Sequence, residues 1–129
     1  MNASSSTRER PDPTSGQALE LLQARYRQHL QLLNYSPRTL VTQATYFHRL
    51  QEFLAETSVT DPQAITADTL SDFQRWIFYR PTHRGAARTV RSQNRVLSFV
   101  KSFLKFLHEE GCLSHNPAAG LRYAREPDT

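Results

Sequence analysis

The stretch from Arg88 to Glu110, RTVRSQNRVLSFVKSFLKFLHEE, constrains the fold more than any other part of the chain. Val96, Phe99, Val100, Phe103, Phe106 and Leu107 recur three and four residues apart, which draws one apolar stripe down a helix. Arg88, Arg91, Arg95, Ser98, Ser102 and Lys105 keep the same spacing and so share a second face. From Arg80 to Lys105 seven residues are Arg or Lys and none is Asp or Glu. A basic face that is merely solvated is the plainer alternative. Solvated faces, however, ordinarily interleave both signs, so a face of one sign is suited to a negative partner, most commonly nucleic-acid phosphate.

The remaining composition bounds the answer. A chain of 129 residues supports one domain plus tails. The formal charge of +4 is modest, but it is concentrated in the stretch just described, and placement argues more than total charge. Cys112 is the only cysteine, so no internal disulfide can form, which fits a reducing cytoplasm. No apolar run approaches the roughly 18 to 20 residues that span a bilayer. The opening MNASSSTRERPDPTSG has no hydrophobic core of a signal peptide. With four glycines and no strand-like alternation, the chain is expected to be all-α, a single bundle of four main helices.

The order of parts follows from periodicity and caps. Residues 1–16 read as a disordered tail, 17–118 as the helical domain and 119–129 as a linker. The first helix is expected from just after Gly16 to about Leu33, with Leu19, Leu22, Tyr26, Leu30 and Leu33 on its apolar face. Ser36-Pro37 opens the second helix, Ser as N-cap and Pro at the first helical position. This helix runs to about Glu56, with Leu40, Ala44, Phe47, Leu50 and Leu54 buried and Tyr46 and Phe53 flanking. Its opposite face carries Arg38, Thr42, Thr45, Arg49 and Glu52. Thr57–Ile65 is a loop marked by Asp61-Pro62; Thr66 then caps a third helix, Ala67–Tyr79, whose core residues are Leu70, Phe73, Trp76 and Ile77. Trp76 reads as a packing anchor rather than a stacking platform. Arg80–Ala87 is a polar loop, with His83 and Arg84 at its tip able to reach a groove or a phosphate. Gly111 is the expected C-cap of the fourth helix.

Candidate chemistry is thin. There is no Gly-rich phosphate loop and no cysteine pair for zinc. His29, His48, His83, His108 and His115 form no metal-ligand pattern. His108 and His115 flank Cys112, but three such residues without a fourth partner make a weak case for a metal or nucleophile site. The expectation is therefore no catalytic residue, no cofactor and no metal.

The ordered set of motifs resembles a known family. Ser36-Pro-Arg-Thr-Leu40 opens the second helix; Arg95-Val-Leu-Ser-Phe-Val-Lys101-Ser-Phe103-Leu-Lys-Phe-Leu107, Glu-Glu-Gly111 and Asn116-Pro117-Ala118 follow. This set resembles the N-terminal core-binding (SAM-like) domain of Xer-type tyrosine recombinases and phage integrases. Tyr79-Arg80 and Val90–Gln93 look like a branch associated with mobile elements.

The resemblance implies a four-helix bundle on one face of double-stranded DNA, its second and fourth helices approaching the major groove. It also implies a separate C-terminal catalytic domain, which the segment ending at Thr129 would lead into. Matched to this chain, the second helix offers Ser36, Arg38, Thr39, Thr42 and Gln43. The fourth offers Arg88, Thr89, Arg91, Ser92, Arg95, Lys101 and Lys105. The implied function is DNA binding in integration and recombination, without cleavage by this chain alone, and with other recombinase protomers as further partners on DNA. The alternative is a protein-interaction module whose basic face docks an acidic partner.

Overall fold

The computed structural model describes residues 12–79 and 89–125, with side chains of the first helix from Ala18 onward. The expected roles of residues 1–11, of Arg80–Arg88 with His83 and Arg84, and of Glu126 and Pro127 lie outside the described residues. Four helices run in order: α1 (Asp12–Leu32), α2 (Pro37–Glu56), α3 (Ala67–Tyr79) and α4 (Val90–Glu109). A 3₁₀ turn, Pro62–Ala64, sits inside the expected α2–α3 loop, started by Asp61, whose side chain accepts from the Gln63 N–H at 2.9 Å. No strand occurs among the described residues, and the fold is an all-α bundle.

The caps explain the boundaries. Ser36 accepts from the Thr39 N–H at 3.2 Å, Thr66 from the Thr69 N–H at 3.1 Å, and Thr89 from the Ser92 N–H at 3.1 Å. Each satisfies one N–H that the first helical turn leaves unpaired. The other ends share one device. After α4 the Cys112 N–H donates to the Leu107 carbonyl at 2.8 Å and the Gly111 N–H to that of His108 at 3.1 Å, with Gly111 at φ 80°. The same crossed pair closes α1 at Asn34 (φ 68°) and α2 at Ser58 (φ 60°). All three are Schellman closures, which need one residue in the left-handed region. The α1 helix starts at Asp12, ahead of the expected start after Gly16, so residues 12–16 belong to the helix. Pro13 in its first turn lacks only an N–H that the helix start leaves unpaired anyway.

The α4 helix is the axis of the bundle and packs against each of the other three. That role needs more than one stripe. Leu97 and Leu104 are buried along with Val96, Phe99, Val100, Phe103, Phe106 and Leu107. Phe99 and Phe103 stack on one another at 5.5 Å, and Tyr26, Phe47 and Phe106 close around them. Phe53, Phe73 and Trp76 form a second aromatic group between α2 and α3. Each fully buried ring contributes about 1.5–3 kcal/mol by leaving water. Phe53, expected at the flank, is buried. Leu33 departs from the expected core and is 57% exposed, because the chain leaves the helix at this residue to turn through Asn34.

Candidate nucleic-acid interface

The basic stripe of α4 lies on the surface. Arg91, Arg95, Ser98, Ser102 and Lys105 are all exposed, and the stripe's first member, Arg88, lies outside the described residues. Arg95 and Lys105 make no ion pair among the described residues. Other cations are neutralised locally: Arg25 pairs with Glu110 at 3.4 Å, Arg49 with Glu52 at 2.7 Å, and Arg75 with Asp72. Among the described residues, Arg95 and Lys105 of α4 thus keep their charge unpaired while ion pairs form at other sites on the bundle.

The first half of α2 stands beside this stripe. Thr39, Thr42 and Gln43 share one cavity of about 380 Å³ with Arg95, Ser98 and Ser102 of α4. Tyr26 and Leu30 of α1, together with Tyr35, Tyr46 and Phe99, complete its walls. Two helices that are distant in sequence therefore present their polar faces to the same space. Gln43 is partly buried, and its Oε1 is enclosed without a hydrogen-bond donor among the described residues. Tyr26, which lines the cavity, has its hydroxyl pKa raised, chiefly by burial; a hydrogen bond with Ser102 opposes the shift and the nearby Tyr35 adds to it.

The sequence-derived residues fall into two groups. Arg38, Thr42, Arg91, Arg95 and Lys105 are exposed side chains on the two helices. Ser36, Thr39, Thr89 and Ser92 are occupied by helix starts: Ser36 and Thr89 as caps, Ser92 through its backbone N–H, and Thr39 through its N–H and a 3.0 Å contact with the Ser36 hydroxyl. The Thr42 hydroxyl donates to the Arg38 carbonyl at 3.1 Å. Lys101 is set apart from the stripe. It is partly buried, and its ammonium donates to the Leu121 carbonyl at 3.1 Å while lying 4.9 Å from the centre of the Tyr123 ring.

The sequence reading missed Tyr123, which borders two grooves that follow one another along the stripe. It also missed Asn94, whose signal was present: Asn94 and Gln93 are polar residues in the phase of the buried positions Leu97 and Val100, and both are buried. The group around Cys112 is dispersed. His108 Nδ1 faces the Leu113 carbonyl at 3.2 Å, His115 Nε2 the Ile65 carbonyl at 3.0 Å, and Cys112 Sγ accepts from Arg25 at 3.5 Å. Among the described residues no group of His, Cys, Asp and Glu is arranged to hold a metal ion, and no helix is long and apolar enough to cross a membrane. His29, whose ring centre lies 4.7 Å from that of Phe106, is partly buried against the core.

No family model matches the chain, and no solved structure matches it. One curated relative is the Tyrosine recombinase XerC 2 of Ralstonia nicotianae, to which the chain is 27% identical over 116 residues. The match takes in 90% of this chain and 33% of that protein, so the chain spans about a third of the relative's length and is similar to a part of a tyrosine recombinase.

Proposed function

We propose that this chain is the core-binding domain of a site-specific tyrosine recombinase and grips double-stranded DNA through α2 and α4. The observation that carries the reading is the shared cavity, where Thr39, Thr42 and Gln43 of α2 meet Arg95, Ser98 and Ser102 of α4 beside a stripe of one charge sign. Arg38, Arg91, Arg95 and Lys105 supply phosphate contacts, which set affinity and register. Gln43, which lines the same cavity, supplies a base contact in the major groove through its amide. The similarity to a named tyrosine recombinase supports the same assignment. In this reading the chain holds DNA during integration or recombination alongside other protomers, and strand cleavage belongs to a catalytic domain of the kind the resemblance implies.

The test is fluorescence anisotropy of a labelled random-sequence duplex titrated with the chain at several salt concentrations. A log–log slope of about −3 to −5 is expected, since each neutralised phosphate contributes about −0.9. Absence of binding at low salt, with binding to an acidic polypeptide of similar charge density, would overturn the reading.

A further inference from the structure

After α4 the chain turns back and runs along the same helix. Leu113 and Ala118 are buried, and Leu121 packs against the core. From Leu121 to Arg125 the backbone is neither helix nor strand, yet three side chains hold it. Lys101 donates to the Leu121 carbonyl at 3.1 Å, and Gln74 of α3 to the Arg122 carbonyl at 2.9 Å. Asn94 clasps one residue from both sides: its Nδ2 donates to the Ala124 carbonyl at 2.8 Å, and its Oδ1 accepts from the Ala124 N–H at 3.0 Å. Asn94 is only 7% exposed. A buried amide is tolerated when both of its ends are satisfied, and here one peptide segment satisfies both.

This segment lies against the basic stripe. Tyr123 borders two shallow grooves, one with Arg91, Arg95 and Ser98 and the other with Ser102 and Lys105. Its ring is about half exposed and rests on Lys101. Arg122 and Arg125 are exposed, and no acid lies between residues 121 and 125. Docking the segment therefore adds positive charge and an amphipathic ring beside a surface that is already positive. An anionic partner would relieve that juxtaposition, and a fixed strap loses less entropy on binding than a loose one.

We infer that Leu121–Arg125 is a strap forming one wall of the duplex-binding surface, held in place by Asn94, so that strap docking and duplex binding strengthen each other. The inference rests on the stripe of α4 being that surface. Asn94 is a positioning residue, while Tyr123, Arg122 and Arg125 face the duplex backbone. Because the coupling is reciprocal, DNA must tighten the strap by the factor by which the strap tightens DNA.

The test uses the full chain with a random-sequence duplex and two readouts: anisotropy, and hydrogen exchange of the Ala124 amide. Duplex is expected to slow Ala124 exchange. Asn94→Ala and Tyr123→Ala are each expected to weaken binding about five- to tenfold, the scale set by one or two lost hydrogen bonds or one lost ring contact. Tyr123→Ala alters an exposed side chain and keeps the test valid should Asn94→Ala fail to fold. If both variants bind like the parent chain while Arg95→Ala is weakened, the strap inference falls and the reading of α4 stands. Faster Ala124 exchange on adding duplex would likewise overturn it, by showing that DNA displaces the strap from Asn94. If the parent chain binds no duplex, both fall together.

Discussion

The indole N–H of Trp76 donates to Glu56 Oε1 at 3.0 Å, joining the end of α2 to α3. The ring also packs against Phe53 at 5.6 Å and Phe73 at 6.0 Å. This commits the only tryptophan to the scaffold on α3, whereas the proposed DNA surface is built from α2 and α4. Trp76→Phe keeps much of the packing but removes the donor, and is expected to lower stability by about 1–2 kcal/mol in urea unfolding. Duplex affinity should not change. In the parent chain, tryptophan emission should stay constant as duplex is added, and strong quenching would place a base against this ring and contradict its role as an anchor.

Charge on α4 makes a separable prediction. Arg95→Ala and Lys105→Ala each remove a cation that makes no ion pair among the described residues, so neither should cost much stability. Each is expected to reduce the salt slope of duplex binding by about one unit and to weaken all sequences alike. Arg49→Ala is the contrast, since that guanidinium is held by Glu52 at 2.7 Å, and its slope should match that of the parent. Anisotropy at four or five salt concentrations distinguishes these cases.

The three Schellman closures predict opposite effects from opposite substitutions. Ser58 occupies the left-handed position at φ 60°, where a Cβ is strained, so Ser58→Gly is expected to raise stability by about 0.5 kcal/mol. Gly111 holds the same position at φ 80°, and no atom lies within 4 Å of the point a Cβ would occupy, so the penalty of Gly111→Ala comes from the backbone alone. A loss of about 1 kcal/mol is expected. Urea midpoints of the two variants should therefore move in opposite directions.

Tyr26 predicts a limit at high pH. Burial raises its pKa above the ordinary 10.0, so the neutral phenol is favoured in the folded chain. A group with a raised folded pKa contributes stability that is fully present below the unfolded value. That contribution is lost as pH climbs from about 10 through the folded value. Stability is thus expected to fall above pH 10 more steeply in the parent than in Tyr26→Phe. The difference between the two curves cancels the titration of lysines and other tyrosines, and parallel curves would contradict the burial argument.

Much of this arrangement was legible in sequence because local rules decide it. Ser36-Pro37, Thr66 and Gly111 mark helix ends through hydrogen bonds that close within a few residues, and the spacing of Phe99, Phe103 and Phe106 fixes one buried stripe. What the sequence left obscure depends on distant partners. Leu97 and Leu104 are buried because α4 is surrounded by three helices, which its own periodicity does not reveal. Lys101 has the composition of a phosphate contact, but it is engaged by Leu121 and Tyr123, twenty or so residues away. The cavity that joins Gln43 to Arg95 exists only once α2 lies against α4.

That cavity gives the sharpest prediction, because Gln43 should set stability against recognition. Its Oε1 is enclosed without a donor among the described residues, and a buried acceptor costs about 1–3 kcal/mol wherever it is left unpaired. Gln43→Met keeps the length of the side chain and removes the polar group, so the urea midpoint is expected to rise. If the Gln43 amide contacts a base when DNA is bound, the same variant loses discrimination at one base pair by about 1–3 kcal/mol. Selection of duplexes from a random pool by the parent and by Gln43→Met would show this as one position whose preference is erased while the others persist. A higher midpoint with an unchanged selected sequence would mean that Gln43 faces no base and that its unpaired oxygen has no part in DNA recognition.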